Sequence, residues 1–127
     1  MEISVVGFSN CQPIRQSCLS GYVSCRDIHK ELVVEVEVAE QFEGDAVLTI
    51  SLVTDCDDGF YSATELEVVG PFTADMLSRH HVWHFQHFRS QLERFVCLHY
   101  GVENGSFTKG RLTARLVESK EELLTVE

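Results

Sequence analysis

The central part of the chain alternates between apolar and polar positions with a period of two. In the segment ELVVEVEVAE, which begins at residue 31, Val34, Val36 and Val38 fall on one face. Glu35 and Glu37 fall on the other face. Alternation of β-branched residues with charged ones is typical of a half-buried strand. We therefore predict a strand whose valines face the core.

Two further segments show the same period. Residues 46–54 (AVLTISLVT) place leucine and isoleucine on one face, and residues 60–69 (FYSATELEVV) place Leu66 and Val68 opposite Glu65 and Glu67. The turn-like segments QFEGD and DCDDG separate the three strands. Short turns between alternating strands favour an antiparallel meander.

A long segment after Gly70-Pro71 shows helical spacing instead. Residues 72–101 contain no proline and no internal glycine before Gly101. Intervals of three and four residues separate Leu77, His81, His84, Phe88, Leu92, Phe95 and His99. This spacing predicts one face of an amphipathic helix that covers the sheet.

The remaining segments complete a single predicted domain over residues 1–127. Residues 10–30 read as an irregular N-terminal segment, with a short strand as an option near its end. Residues 111–117 read as a last strand or an amphipathic extension, and residues 118–127 as a short charged tail. The predicted fold class is α+β: a mostly antiparallel four-stranded meander covered by one long amphipathic helix.

Composition narrows the classes of function. The chain has 127 residues, 44% of them hydrophobic, and a net charge of −10 from 20 acidic and 10 basic residues. This charge disfavours direct nucleic-acid binding and favours basic partners. The five cysteines are an odd number, no segment resembles a secretory signal, and no apolar run is long enough for a bilayer. We expect a cytoplasmic protein with reduced thiols and no membrane insertion.

The histidines are the most conspicuous candidates for chemistry. His80, His84 and His87 would project from one face of the predicted helix and could offer three imidazoles to zinc. The helical zinc-protease motif is absent, and no carboxylate lies nearby in the sequence. The alternatives are histidines in the helix–sheet seam, in solvent or at a subunit contact, and a cluster that senses pH. We predict no metal, no cofactor and no enzymatic activity, with Cys97 as a packing residue.

The order of the segments resembles the SecB family of export chaperones. The matching blocks are VVEVEV at 33–38, AVLTISLVT at 46–54, YSATELEVVGPF at 61–72 and HFQHFRSQLERFVCLHYG at 84–101. The resemblance implies a non-enzymatic holdase that works as a dimer or tetramer and binds unfolded or basic protein clients. It implies a client groove with Phe60, Tyr61, Phe72 and Trp83 as candidate residues, each of which could equally be core.

Two other classes compete with the chaperone. A small acidic protein that inhibits a basic, nucleic-acid-binding partner would need a dense carboxylate surface, for which the strand glutamates are candidates. The third class is a metal protein that uses the histidine cluster.

Overall fold

The alternating segment that begins at residue 31 forms the longest described strand. In the computed structural model, which describes residues 7–28 and 30–117, this strand is β4 and spans Glu31–Gly44. The described strands are β1 Gly7–Pro13, β2 Cys18–Leu19, β3 Val23–Ser24, β4 Glu31–Gly44, β5 Val47–Asp55, β6 Thr64–Thr73, β7 Val82–Phe88, β8 Phe95–Glu103 and β9 Phe107–Leu116. Short 3-10 helices span Cys25–Asp27, Ala74–Met76 and Arg89–Gln91.

The strands form two antiparallel sheets. Sheet A has the order β1-β9-β4-β7, and sheet B has the order β2-β8-β5-β6, with β3 also paired to β8. After β4 the chain crosses to sheet B for β5 and β6, then returns to sheet A for β7, to sheet B for β8 and to sheet A for β9. With β2 and β3 sharing one place, this is the strand order of an eight-stranded jelly roll.

The core lies between the inner faces of the two sheets. The inward row of β4 (Leu32, Val34, Val36 and Val38) is fully buried, as is the inward row of β5 (Leu48, Ile50 and Leu52). Each such side chain contributes about 1.5–3 kcal/mol by leaving water. The inward faces predicted for these two strands are therefore confirmed.

The predicted long helix is wrong, and with it the α+β class. The described residues are mostly strand, with three 3-10 helices of three residues each, and they contain no helix of seven residues or more. Residues 72–101 hold the end of β6, two 3-10 helices, β7 and most of β8. In β7 the sequence VWHFQHF alternates between the two faces, and its aromatic residues favour a strand. Two alternating segments joined by an irregular turn also produce intervals of three and four residues.

The predicted four-stranded meander is also wrong. β5 and β6 pair as a hairpin, but β4 and β5 lie in different sheets. β4 continues to Gly44 and turns Phe42 into the core, so the expected turn is mostly strand. The length of a connection does not decide whether the next strand pairs or crosses to a second sheet. Residues 111–117, the predicted last strand or extension, fall mostly in β9, and the predicted tail 118–127 lies outside the described residues.

One glycine fits the core where no other residue would. Gly110 in β9 has φ +142°, and a Cβ there would overlap the ring of Phe42. Phe42 packs edge-on against Phe107, with ring centroids 4.9 Å apart. Gly105 has a similar φ of +131°, but the nearest atom to a Cβ there would be 3.8 Å away.

We expect Gly110→Ala to be more damaging than Gly105→Ala. Both variants strain a left-handed backbone, but only the first also forces the Phe42 ring to move, at a further cost of about 1–3 kcal/mol. Urea denaturation of the two variants measures this difference in free energy of unfolding. Equal losses of free energy of unfolding in the two variants would show that the Phe42 and Phe107 rings can shift without cost and would contradict this expectation.

Candidate functional site at the edge strand β7

Strand β7 is the last strand on one side of sheet A, and no other described strand pairs with its second edge, which we call the open edge. It pairs in continuous register with β4, from Glu31 opposite Phe88 to Glu37 opposite Val82. Its side chains alternate: Phe85 is fully buried, while Val82, His84, Gln86 and Phe88 are exposed. The strand therefore presents one row to the core and one row to solvent.

Backbone bonds at both ends of the pair define which residues face the open edge. The Arg89 N–H donates to the Lys30 carbonyl at 2.7 Å, and the Val38 N–H donates to the His81 carbonyl at 2.9 Å. Backbone groups alternate in direction along a strand, so the odd-numbered residues of β7 bond to β4. The N–H and C=O groups of Val82, His84 and Gln86 consequently point away from β4. The Phe88 N–H also points away and donates to Gln91 Oε1 at 3.0 Å.

The other described edges carry features that discourage pairing. β6 contains Pro71, which lacks an N–H, and its pairing with β5 is irregular at two places. β1 ends at Pro13 and has two register shifts against β9. β2 and β3 are two residues long each. Proteins protect exposed edges with proline, bulges, charges and short strands. Among the described edges, β7 has none of these.

Apolar side chains lie at both ends of the exposed row of β7. Val82 is 39% exposed and Phe88 is 64% exposed. His84 and Gln86 lie between them in this row. The whole strand, VWHFQHF, contains no Asp, Glu, Lys or Arg. An uncharged open edge with apolar ends is suited to a backbone-to-backbone contact with another chain.

The three predicted zinc ligands do not converge. His84 points outward and His87 points toward sheet B, while His80 precedes the strand with φ +74°. Each has its own carboxylate: Glu37 at 3.1 Å from His80, Glu35 at 3.7 Å from His84, and Glu67 at 2.8 Å from His87. The described residues include no group of three His, Cys, Asp or Glu that could hold a metal ion. The partners come from β4 and β6, which is why the local sequence did not reveal them.

His87 and Glu67 form the most shielded of these pairs. The His87 side chain is 13% exposed, and Gln91 Oε1 lies 3.2 Å from its other ring nitrogen. Glu67 pairs with the buried Leu52, whereas Glu65 pairs with Val53, because the register shifts between them. The two glutamates predicted to share a face therefore lie on opposite faces. The His87–Glu67 contact links the open edges of the two sheets.

The four predicted client-binding residues fall into two groups. Phe72 and Trp83 pack together with ring centroids 4.8 Å apart, and His81 packs against Trp83 at 4.6 Å. Phe60 and Tyr61 lie in the loop at the opposite end of the β5–β6 hairpin. Tyr61 is 88% exposed. The structure thus does not bring the four residues into one groove.

The Cys97 thiol is shielded on the outer side of sheet B. It is 1% exposed and lies opposite Val53. Burial raises its pKa from the ordinary 9.0 to about 12. A nucleophilic cysteine needs the opposite shift, so the prediction that Cys97 is a packing residue fits its surroundings. Burial likewise raises the pKa of the Cys25 thiol to about 11, against the lowering effect of nearby Arg89.

Neither a protein-family model nor a curated protein sequence matches this chain. Within residues 7–28 and 30–117, no helix is long and apolar enough to cross a membrane.

We expect Glu67→Ala to lower the free energy of unfolding by about 1 kcal/mol, the usual net contribution of a shielded hydrogen bond. Glu65→Ala is the matched control, since it removes a carboxylate from the exposed face, and should change stability by no more than about 0.5 kcal/mol. Chemical denaturation measures both. When both substitutions are repeated in a His87→Ala background, their effects on the free energy of unfolding should become equal. If Glu67→Ala still costs more than Glu65→Ala by the same amount, Glu67 stabilises the fold without His87.

The buried Cys97 should also make stability depend on alkaline pH. Above pH 9.0 the unfolded thiol ionises while the folded thiol stays protonated, so the free energy of unfolding falls as the pH rises toward 12. Cys97→Ala should flatten this fall, and Cys11→Ala, at an exposed position, should not. Denaturation at a series of pH values tests this. Identical slopes in both variants would contradict the assignment.

Proposed function

We propose that this chain is a non-catalytic structural protein that assembles through the open edge of β7. In this proposal the first partner is a second copy of the chain, and β7 pairs antiparallel with β7 across a two-fold axis. The observation that carries the proposal is that β7 pairs regularly with β4 and contains no proline, bulge or charged residue, a combination that β1 and β6 lack, while the edge strands β2 and β3 are only two residues long.

A two-fold axis at Phe85 gives a complementary register. Val82 then lies opposite Phe88 of the second copy, and His84 lies opposite Gln86 of the second copy. The exposed apolar residues at the two ends of the row become direct neighbours and leave water together. Val82, His84 and Gln86 present their backbone N–H and C=O groups to the partner, because they are even-numbered residues of β7. Phe88 presents its C=O, since its N–H donates to Gln91 Oε1. Two four-stranded sheets become one continuous sheet.

The charge of the chain is compatible with a contact at this edge. Two copies with a net charge of −10 each repel one another unless the contact excludes carboxylates. β7 itself has none. Among the outward carboxylates of the neighbouring strand β4, Glu35 and Glu37 face Arg115 at 3.8 and 3.5 Å, and Glu31 accepts a hydrogen bond from Gln86. Two copies can therefore approach at this edge without placing a carboxylate of β7 against its counterpart.

The architecture suits such a role by analogy. Jelly rolls serve as viral shell subunits, lectins and cupins, so the fold alone does not select a function. Shell subunits depend on contacts between protein surfaces, as this proposal does, and we place the chain in that class of assembly protein. Its five cysteines are free, which suits a reducing compartment such as the cytoplasm.

The chaperone and the inhibitor have less support from the geometry. The resemblance to export chaperones used residues 84–101 as a helix, and these residues form strands β7 and β8 around a turn. An inhibitor that imitates nucleic acid would need unpaired carboxylates, but Glu35, Glu37 and Glu40 contact arginines of β9. Client binding and inhibition therefore stay predictions from the sequence.

We expect the protein to have the mass of a dimer at about 100 µM, a concentration that populates dimers of micromolar Kd. His84→Pro should yield monomers, because it removes an N–H that faces the open edge without removing a bond to β4. Phe88→Lys should do the same by placing a charge on the edge. Sedimentation velocity measures the mass, and circular dichroism confirms that the variants stay folded.

Val68→Lys provides the matched control. Val68 is also an exposed apolar residue on an edge strand, at 49% exposure, but it lies on β6. This variant should keep the dimer mass. A monomeric parent protein, or a dimer that Val68→Lys disrupts and the two β7 variants do not, would overturn the proposal.

A further inference from the structure

A cleft at one end of the sandwich gathers three of the ten basic residues of this acidic chain. It has a volume of about 590 Å³ and is lined by Tyr22, Ser24, Arg26, Arg89, Arg94 and Phe95. Pockets of this size hold small organic ligands. The lining includes three guanidinium groups and no carboxylate.

Three separate segments bring the arginines together. Ser24 of β3 pairs with Phe95 of β8, and the Cys25 N–H donates to the Arg94 carbonyl at 2.8 Å. The 3-10 helix Cys25–Asp27 then carries Arg26 beside them. Arg89 follows β7, and its N–H donates to the carbonyl of Lys30, the residue before β4. The backbone thus holds all three arginines at the end of the sheets where β8 begins.

These arginines have little else to bind among the described residues. None lies within 4.0 Å of a described carboxylate, in contrast to Arg111 and Arg115. Arg89 is half-buried and uses one nitrogen, Nη1, to donate to the Leu92 carbonyl at 3.3 Å. Acidic groups beside the lining residues are Asp58, which accepts from the Tyr22 hydroxyl at 3.3 Å, Glu93, beside Cys56, and Asp55, which lies opposite Phe95. Three clustered guanidinium groups without a described carboxylate partner are suited to an oxyanion.

Two aromatic rings form an apolar wall beside the arginines. Tyr22 and Phe95 meet edge to face with ring centroids 5.3 Å apart, and the Arg94 guanidinium lies 5.5 Å from the Phe95 centroid. Tyr22 is 49% exposed and leaves part of its ring free to stack on a planar group. The cleft therefore offers charge-assisted donors and a stacking surface side by side.

We propose that this cleft binds a small phosphate-bearing ligand with a planar ring, of the nucleoside monophosphate class. The phosphate accepts from Arg26, Arg89 and Arg94, and the base stacks on Tyr22. The cleft is too small for a folded partner, and the net charge of −10 opposes the approach of a long polyanion. The proposal of a ligand in this cleft does not depend on the proposed pairing of β7 with a second copy.

Isothermal titration of the full chain with adenosine monophosphate tests the proposal, with adenosine and inorganic phosphate as the two half-ligands. We expect the monophosphate to bind at least tenfold more tightly than either half, since it uses both parts of the cleft. No binding at about 1 mM, or equal binding of phosphate alone, would overturn it. Tighter binding of a ten-residue oligothymidylate would also overturn it, in favour of a nucleic-acid strand.

Substitutions at exposed arginines locate the binding. Arg26→Gln and Arg94→Gln should each weaken binding of adenosine monophosphate about tenfold, the usual effect of losing one bond to a charged group. Arg79→Gln, an exposed arginine at a different surface cleft beside Glu40, is the matched control and should leave the affinity unchanged. Equal affinities in all three variants, with circular dichroism showing intact folds, would place the ligand elsewhere and refute the site.

Discussion

The contact between the inward rows of β4 and β5 holds the molecule together. β4 is the interior strand of sheet A that bonds to both β9 and β7, and β5 occupies the corresponding place in sheet B between β8 and β6. Their buried Val, Leu and Ile side chains meet across the sandwich. Every other strand is attached directly or through one neighbour to this pair. The open edge of β7 depends on this contact, because the positions of β4 and β5 in the two sheets determine which strands lie at the edges.

Local periodicity predicted the parts of the fold that one strand determines by itself. The inward faces of β4 and β5 followed from alternation, because each strand has one face in the core. The pairing of β4 was not predictable in this way, since its neighbours, β7 and β9, are distant in sequence. The error at β7 had a specific cause. His84 and Phe88 are four residues apart, which is the spacing of one helical face. The strand places both of them outward and turns Phe85 inward.

The candidate sites show the same limit of sequence reasoning. The histidines were visible, but the carboxylates beside them come from β4 and β6. Two arginines of the end cleft, Arg89 and Arg94, are close in sequence, but Arg26 is distant and joins them because β3 pairs with β8. An open edge is easier to recognise: VWHFQHF alternates and carries neither charge nor proline. That signal identifies an edge candidate once the segment is read as a strand.

The position of β9 has a consequence for synthesis on the ribosome. β9 lies between β1 and β4, although it is the last described strand to emerge. Until β9 is synthesised, the edge of β4 that pairs with β9 has no neighbour. β1 also lacks its partner strand, since its residue Gly7 pairs with Arg115 of β9. The nascent chain therefore exposes a long valine-rich edge throughout the translation of β5 to β8. Protection of that edge during synthesis must come from outside the chain or from the speed with which β9 closes the sheet.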